Sequence, residues 1–232
     1  MTDAEWIAFF RRPEIPAFNA AMLEHPDADL PRLVFADWVE ENCPNAAFVA
    51  ALRRSIASPA IPEWVRNFSM VVKGHELRLW RGRLEVGIDF SDPEFNYGPD
   101  EFENAAWESG WVGRLKLRGL LGYGLPNWLA EGRIEGIEWL DLFDAGISDG
   151  VSQAVILQLT RRRSNMTHVT TLDIRLNRIT DGAAHRIAEC PSLESLKVLL
   201  ITKEMCGSIG RDALARSHYL PEHIRAQFRQ PT

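Results

Sequence analysis

The stretch that decides the fold is His168–Leu196, HVTTLDIRLNRITDGAAHRIAECPSLESL. Val169, Leu172, Ile174, Asn177 and Ile179 follow the spacing L-x-x-L-x-L-x-x-N-x-L with conservative exchanges. Leu172 and Ile174 alternate, so both point to one face of a short strand. A strand this short has no stability of its own and must stack on equivalents. Asn177 stands where the chain turns away from the strand, and its amide can satisfy backbone groups there. Asp181 and Gly182 open a helical run with Ala183, Ala184, Ile187 and Ala188 at helical spacing. One strand, one turn and one helix make a unit that needs neighbours.

Neighbouring segments fit the same frame. Ile137, Leu140, Leu142 and Ile147 precede Ser148-Asp149-Gly150, which matches Thr180-Asp181-Gly182. Val112, Leu115 and Leu117 suggest a third copy, and Leu193, Leu196 and Val198 a fourth, with Leu199–Gly207 as an inserted loop. The reference leucines Leu115, Leu140, Leu172 and Leu196 are 24 to 32 residues apart. Units of this kind resemble bacterial leucine-rich repeats of the ribonuclease-inhibitor-like type, with an I-[ST]-D-G turn leading into a helix. Across roughly residues 110–216 the resemblance implies a short α/β solenoid, parallel strands concave and helices convex. Such a fold needs about three units to bury a continuous core.

Residues 1–57 read as helical. Thr2 and Glu5 have capping-box spacing before Trp6, Phe9 and Phe10. Pro16 suits the start of a second helix and Asp29 the cap of a third, in which Leu30, Leu33, Val34 and Trp38 are expected on one side. A fourth helix follows Pro44. The run Arg32-Leu33-Val34-Phe35-Ala36-Asp37-Trp38-Val39-Glu40-Glu41 resembles the core of the bacterial repeat-companion domain, which commonly precedes leucine-rich repeats; the likeness implies an arrangement of domains and no activity. Residues 58–98 alternate at strand spacing in places and are expected to form a linker and strand-rich cap, 99–216 the repeats, and 217–232 a C-terminal cap helix.

Composition narrows the function. The formal net charge of −6 argues against a nucleic-acid partner. Arg161-Arg162-Arg163 reads as a solvated helix end. Three cysteines without a C-x-x-C pair suggest reduced thiols and a cytoplasmic setting. The N-terminus lacks the pattern of a secretory signal, and no run reaches the ~18 apolar residues of a membrane span.

If the repeats stack, the residues between the leucines share one face. Those rows are Arg114, Lys116, Arg118; Trp139, Asp141, Phe143; Thr171, Asp173, Arg175; and Ser195, Lys197, Leu199. Aromatic and arginine side chains are favoured at binding hot spots. The expected function is therefore a non-catalytic protein-interaction or scaffolding module. Arg114, Lys116, Trp139, Asp141, Phe143, Asp173, Arg175, Lys197 and Leu199 would contact a protein partner. A competing reading has the charges neutralising each other across strands and the rings covered by the fold itself. Two further alternatives are self-association through the helical subdomain, and a cryptic hydrolase using His25, Asp37, Glu40 or Cys43. No phosphate loop, G-x-S-x-G or H-E-x-x-H motif supports an enzyme, and His218 with Glu222 is too solitary a pair to suggest a metal. No cofactor or metal is expected, and a homo-oligomer remains open.

Overall fold

Strand and helix boundaries follow from local chemistry. The computed structural model describes residues 1–57, 70–72, 75–80, 83–89, 105, 108–118, 136–147, 156, 166–202 and 206–229. The chain divides into two compact units, residues 1–87 with 98–114, and residues 88–97 with 115–232. Ser148-Asp149-Gly150, Arg161-Arg162-Arg163 and most of the segment 90–107 lie outside the described residues.

The first unit begins with α1 (Asp3–Phe10), α2 (Glu14–Glu24), α3 (Leu30–Asn42) and α4 (Ala46–Ala57). Thr2 caps α1 reciprocally: its hydroxyl accepts from the Glu5 N–H at 3.3 Å, and the Glu5 carboxylate accepts from the Thr2 N–H at 2.6 Å. Asp29 precedes α3 without a side-chain cap bond. The strands β1 (Met70–Val72), β2 (His75–Trp80) and β3 (Arg83–Asp89) form antiparallel hairpins, pairing Val71 with Glu76 and Leu79 with Leu84. Then comes β4 (Val112–Arg118).

Trp111 is the hub of this unit. It is fully buried, and Phe35, Phe10 and Phe48 surround it with ring centroids at 5.0, 5.3 and 5.8 Å. Edge-to-face and tilted pairs of this kind contribute beyond the area they bury. The backbone beside the ring is held from two directions. Leu84 N–H donates to the Trp111 carbonyl at 3.1 Å, and the buried Asn19 amide donates to the Ser109 carbonyl at 2.7 Å. Arg83, also fully buried, donates to the Gly110 and Val112 carbonyls at 2.7 and 3.1 Å. A Cβ at Gly113 would lie 2.9 Å from the Arg83 side chain, so only glycine lets that side chain pass.

The second unit contains β5 (Trp139–Asp141), β6 (Thr171–Asp173) and β7 (Val198–Leu200), with α5 (Asp181–Ala188), α6 (Ser208–Arg216) and α7 (Glu222–Arg225). The three strands are parallel, in the registers Leu140↔Leu172↔Leu199 and Asp141↔Asp173↔Leu200. Thr180 caps α5 by accepting from the Ala183 N–H at 3.2 Å. α5 and α6 pack closely: a Cβ at Gly210 would fall 2.9 Å from the Ala184 Cβ and 2.7 Å from the Asp181 carboxylate, which instead accepts from the Gly210 N–H at 3.0 Å. At the C-terminus the buried Ser217 hydroxyl donates to the Ala188 carbonyl and accepts from the Leu220 N–H at 3.0 Å, which helps seat Ile224 and Phe228 in the core.

The expected leucine-rich repeat solenoid is corrected here. In the first unit β1–β2–β3 pair antiparallel, and in the second β5–β6–β7 pair parallel, so a common strand–helix repeat does not run through the described strands. The supposed fourth copy is also out of frame: Leu196 is buried but precedes the strand, and the residue paired with Leu172 is Leu199. The physical reason is that a three-residue apolar strand followed by a capped helix is a general αβ connection. Its letters do not distinguish a repeat from a single sheet.

Candidate functional site

The residues between the core leucines do not form an open recognition surface. Arg114 is buried in an ion pair with Glu85 at 2.9 Å, their side chains only 4% and 3% exposed. Asp141 and Asp173 are buried as well. Each carboxylate accepts from the N–H two residues ahead, Phe143 at 3.0 Å and Arg175 at 3.1 Å, which ends the strand in a local turn. Asp173 also takes the Arg175 guanidinium in a fork at 3.0 and 2.7 Å. That fork holds the Arg175 guanidinium above its ordinary pKa, chiefly through the bonds to Asp173. Its carbon lies 5.3 Å from the Phe143 ring centroid, a cation–π contact that half-buries the ring.

The remaining candidates scatter. Trp139 is half-buried beside Thr171 in the neighbouring strand, and Lys116 is half-buried. Lys197 is exposed, and its carbonyl meets the His223 ring nitrogen at 2.6 Å. Leu199, read as an outward anchor, is a core residue. The expected binding patch on a concave repeat face is therefore corrected: Arg114, Asp141, Asp173 and Leu199 are inside, and Phe143 and Arg175 satisfy one another. Arg118 carries no described side chain.

The reactive cluster near the N-terminus is also engaged structurally. Arg53 donates to Asp37 at 2.7 Å and to Glu40, tying α4 to α3. Cys43 is buried, its thiol 3.7 Å from the Met1 sulfur, and burial pushes its pKa up. Burial does the same for Cys190 and Cys206. At Cys43 burial outweighs the pull of Arg12 and the N-terminal amine, and at Cys206 that of Arg211, so both thiols are held away from the thiolate form that reacts. Among the described residues no group of three or more His, Cys, Asp and Glu is placed to hold a metal ion. No described helix is long and apolar enough to cross a membrane. Glu222, considered with His218, is taken instead by Arg225 at 2.7 Å and Arg229 at 2.6 Å.

Helix α3 buries Arg32, Phe35, Ala36 and Val39, the i, i+3, i+4, i+7 stripe. The opposite side carries Leu30, Leu33 and Val34, which are 69%, 41% and 48% exposed. Asp37 and Glu41 continue that outer stripe one and two turns further, both exposed. Asp27 and Asp29 stand exposed before its first turn. The outer face is thus aliphatic at its N-terminal half and ringed by carboxylates, and the signal for it was a helix apolar on both sides.

No family model, curated protein or solved structure matches this chain. The likeness to leucine-rich repeats and to the repeat-companion domain is corrected accordingly. The ten-residue run from Arg32 to Glu41 is accounted for as one helix with two faces, and Ile179-Thr180-Asp181-Gly182 as a capped helix start.

Proposed function

We propose that this chain is a non-catalytic protein-binding module that docks its partner on the outer face of α3, and that the partner presents an amphipathic helix with basic flanks. The observation that carries this reading is the aliphatic stripe Leu30, Leu33 and Val34, exposed on a helix that already buries its opposite side. Neighbouring large aliphatics on one helix face mark an interaction site more often than isolated ones do. The spacing i, i+3, i+4 suits the ridge of a partner helix. Charge selects the partner. Asp29, Asp37, Glu40 and Glu41 are exposed around the stripe, with Arg53 bridging Asp37 and Glu40. A second copy of the same acidic face would be repelled, as would a nucleic acid or an anionic lipid surface. A lysine- or arginine-flanked helix would be attracted.

The test uses two labelled helical peptides, one built of Leu and Lys and one of Leu and Glu, titrated against the whole chain by fluorescence anisotropy. The Leu/Lys peptide binds, at least about tenfold tighter than the Leu/Glu peptide, and more weakly as salt rises. Leu33→Ser with Val34→Ser weakens it by at least about tenfold, a loss of only about 1.4 kcal/mol, where full burial of each aliphatic side chain would be worth about 1.5–3 kcal/mol. The Tm stays nearly unchanged, because both side chains are exposed in the free protein. Equal binding of both peptides, or of the double variant, would overturn the proposal, as would concentration-dependent dimerisation lost on the same substitutions.

A further inference from the structure

In the second unit, one face of α6 and the chain after α7 enclose a concavity of about 360 Å³, within the size range of small-molecule sites. Ala215 and Phe228 supply apolar wall, and Arg211, Arg216 and Arg229 stand around it with Asp212. The charges do not balance. Asp212 holds Arg216 at 3.0 Å, and Glu222 is shared between Arg229 and Arg225. The Asp181 carboxylate nearby is occupied by the Gly210 N–H. Arg211, a half-buried residue, has no hydrogen-bond or ion-pair partner for its guanidinium among the described residues. Four guanidiniums thus share two carboxylates, and the one without a partner lines the hollow.

The geometry points to a binding site for a phosphomonoester with a flat apolar body. The phosphate would sit on Arg211, with Arg229 or Arg216 turned toward it, and the body would lie against Ala215 and Phe228. Guanidinium forks match phosphate oxygens, and the charge of Arg211, not taken by a carboxylate, suits an anion. The apolar wall explains why the ligand would be an ester and not the free ion.

The probe is phenyl phosphate, titrated into the isotopically labelled whole chain and followed by amide chemical shifts. The expected result is saturable binding in the millimolar range, with shifts concentrated at residues 208–216 and 226–229. Inorganic phosphate binds several-fold more weakly. Arg211→Gln weakens phenyl phosphate at least about fivefold, while Arg211→Lys retains part of the affinity. Both variants keep the wild-type shift pattern away from α6, which shows that they are folded. The proposal fails if shifts do not saturate, if they spread over the chain, if inorganic phosphate binds as well, or if Arg211→Gln changes nothing.

Discussion

Replacing Asn177 by alanine tests how the turns after β5 and β6 are held together. Asn177 is buried, and its side chain makes five hydrogen bonds. Its oxygen accepts from the Ala145 and Ile147 N–H groups, each at 3.1 Å. Its nitrogen donates to the carbonyls of Leu142, Ile174 and Arg175 at 2.6, 3.0 and 3.2 Å. Not all of these groups are lost with it. Ala145 N–H also reaches the Leu142 carbonyl, and the Arg175 carbonyl also accepts from Asp144. The Ile147 N–H and the Ile174 carbonyl are left without a partner. An unsatisfied buried group costs about 1–3 kcal/mol, so Asn177→Ala should destabilise the protein by about 2–6 kcal/mol. Urea unfolding with matched m-values measures this directly. Asn177→Asp separates the contributions: it keeps both acceptors, loses the donors and sets a carboxylate against three carbonyls. It should be at least as damaging at neutral pH and partly recovered in acid, when the carboxyl is protonated. A loss below about 1 kcal/mol for the alanine variant would refute the reasoning, because two orphaned buried groups cannot cost so little.

Leu176 adopts φ 56° while 61% exposed, a left-handed conformation that costs a β-carbon residue about 1–2 kcal/mol. Leu176→Asn should therefore raise stability by about 0.5–1 kcal/mol, and an unchanged unfolding midpoint would show that no strain is stored there. The Glu222 carboxyl is held below its ordinary value of 4.5, first by its hydrogen bond with Arg229. A lowered carboxyl pKa means that the pair's contribution is present above pH 4.5 and fades as pH falls through the folded value. A side-chain NMR titration should give a midpoint under 4.5 that moves back toward it in Arg229→Gln.

Some of this molecule was legible in its letters. The Thr2–Glu5 capping box and the role of Asn177 follow from donor and acceptor chemistry at fixed spacing, and the structure contains both contacts. The sidedness of α3 did not follow, because Leu30, Leu33 and Val34 are as apolar as Phe35, Ala36 and Val39. When a helix offers two apolar stripes, periodicity cannot choose between them; packing around Trp111 does, and it brings Arg32 inside with the inner stripe. The frame of β7 was ambiguous for a similar reason. Leu193, Leu196, Val198, Leu199 and Leu200 place an apolar residue at nearly every spacing, so a shift of three residues goes unnoticed until the register is seen. Asp141 and Asp173 looked like outward charges. An aspartate at a strand end, followed two residues later by a free N–H, carries a local turn signal that explains where those carboxylates go.

The outer face of α3 can be examined most directly with a spin-labelled Leu/Lys helical peptide added to the whole chain, reading paramagnetic broadening residue by residue. The account predicts broadening centred on Leu30, Leu33, Val34, Asp37 and Glu41, and its disappearance in Leu33→Ser with Val34→Ser. Broadening centred elsewhere, or persisting in that variant, would contradict it.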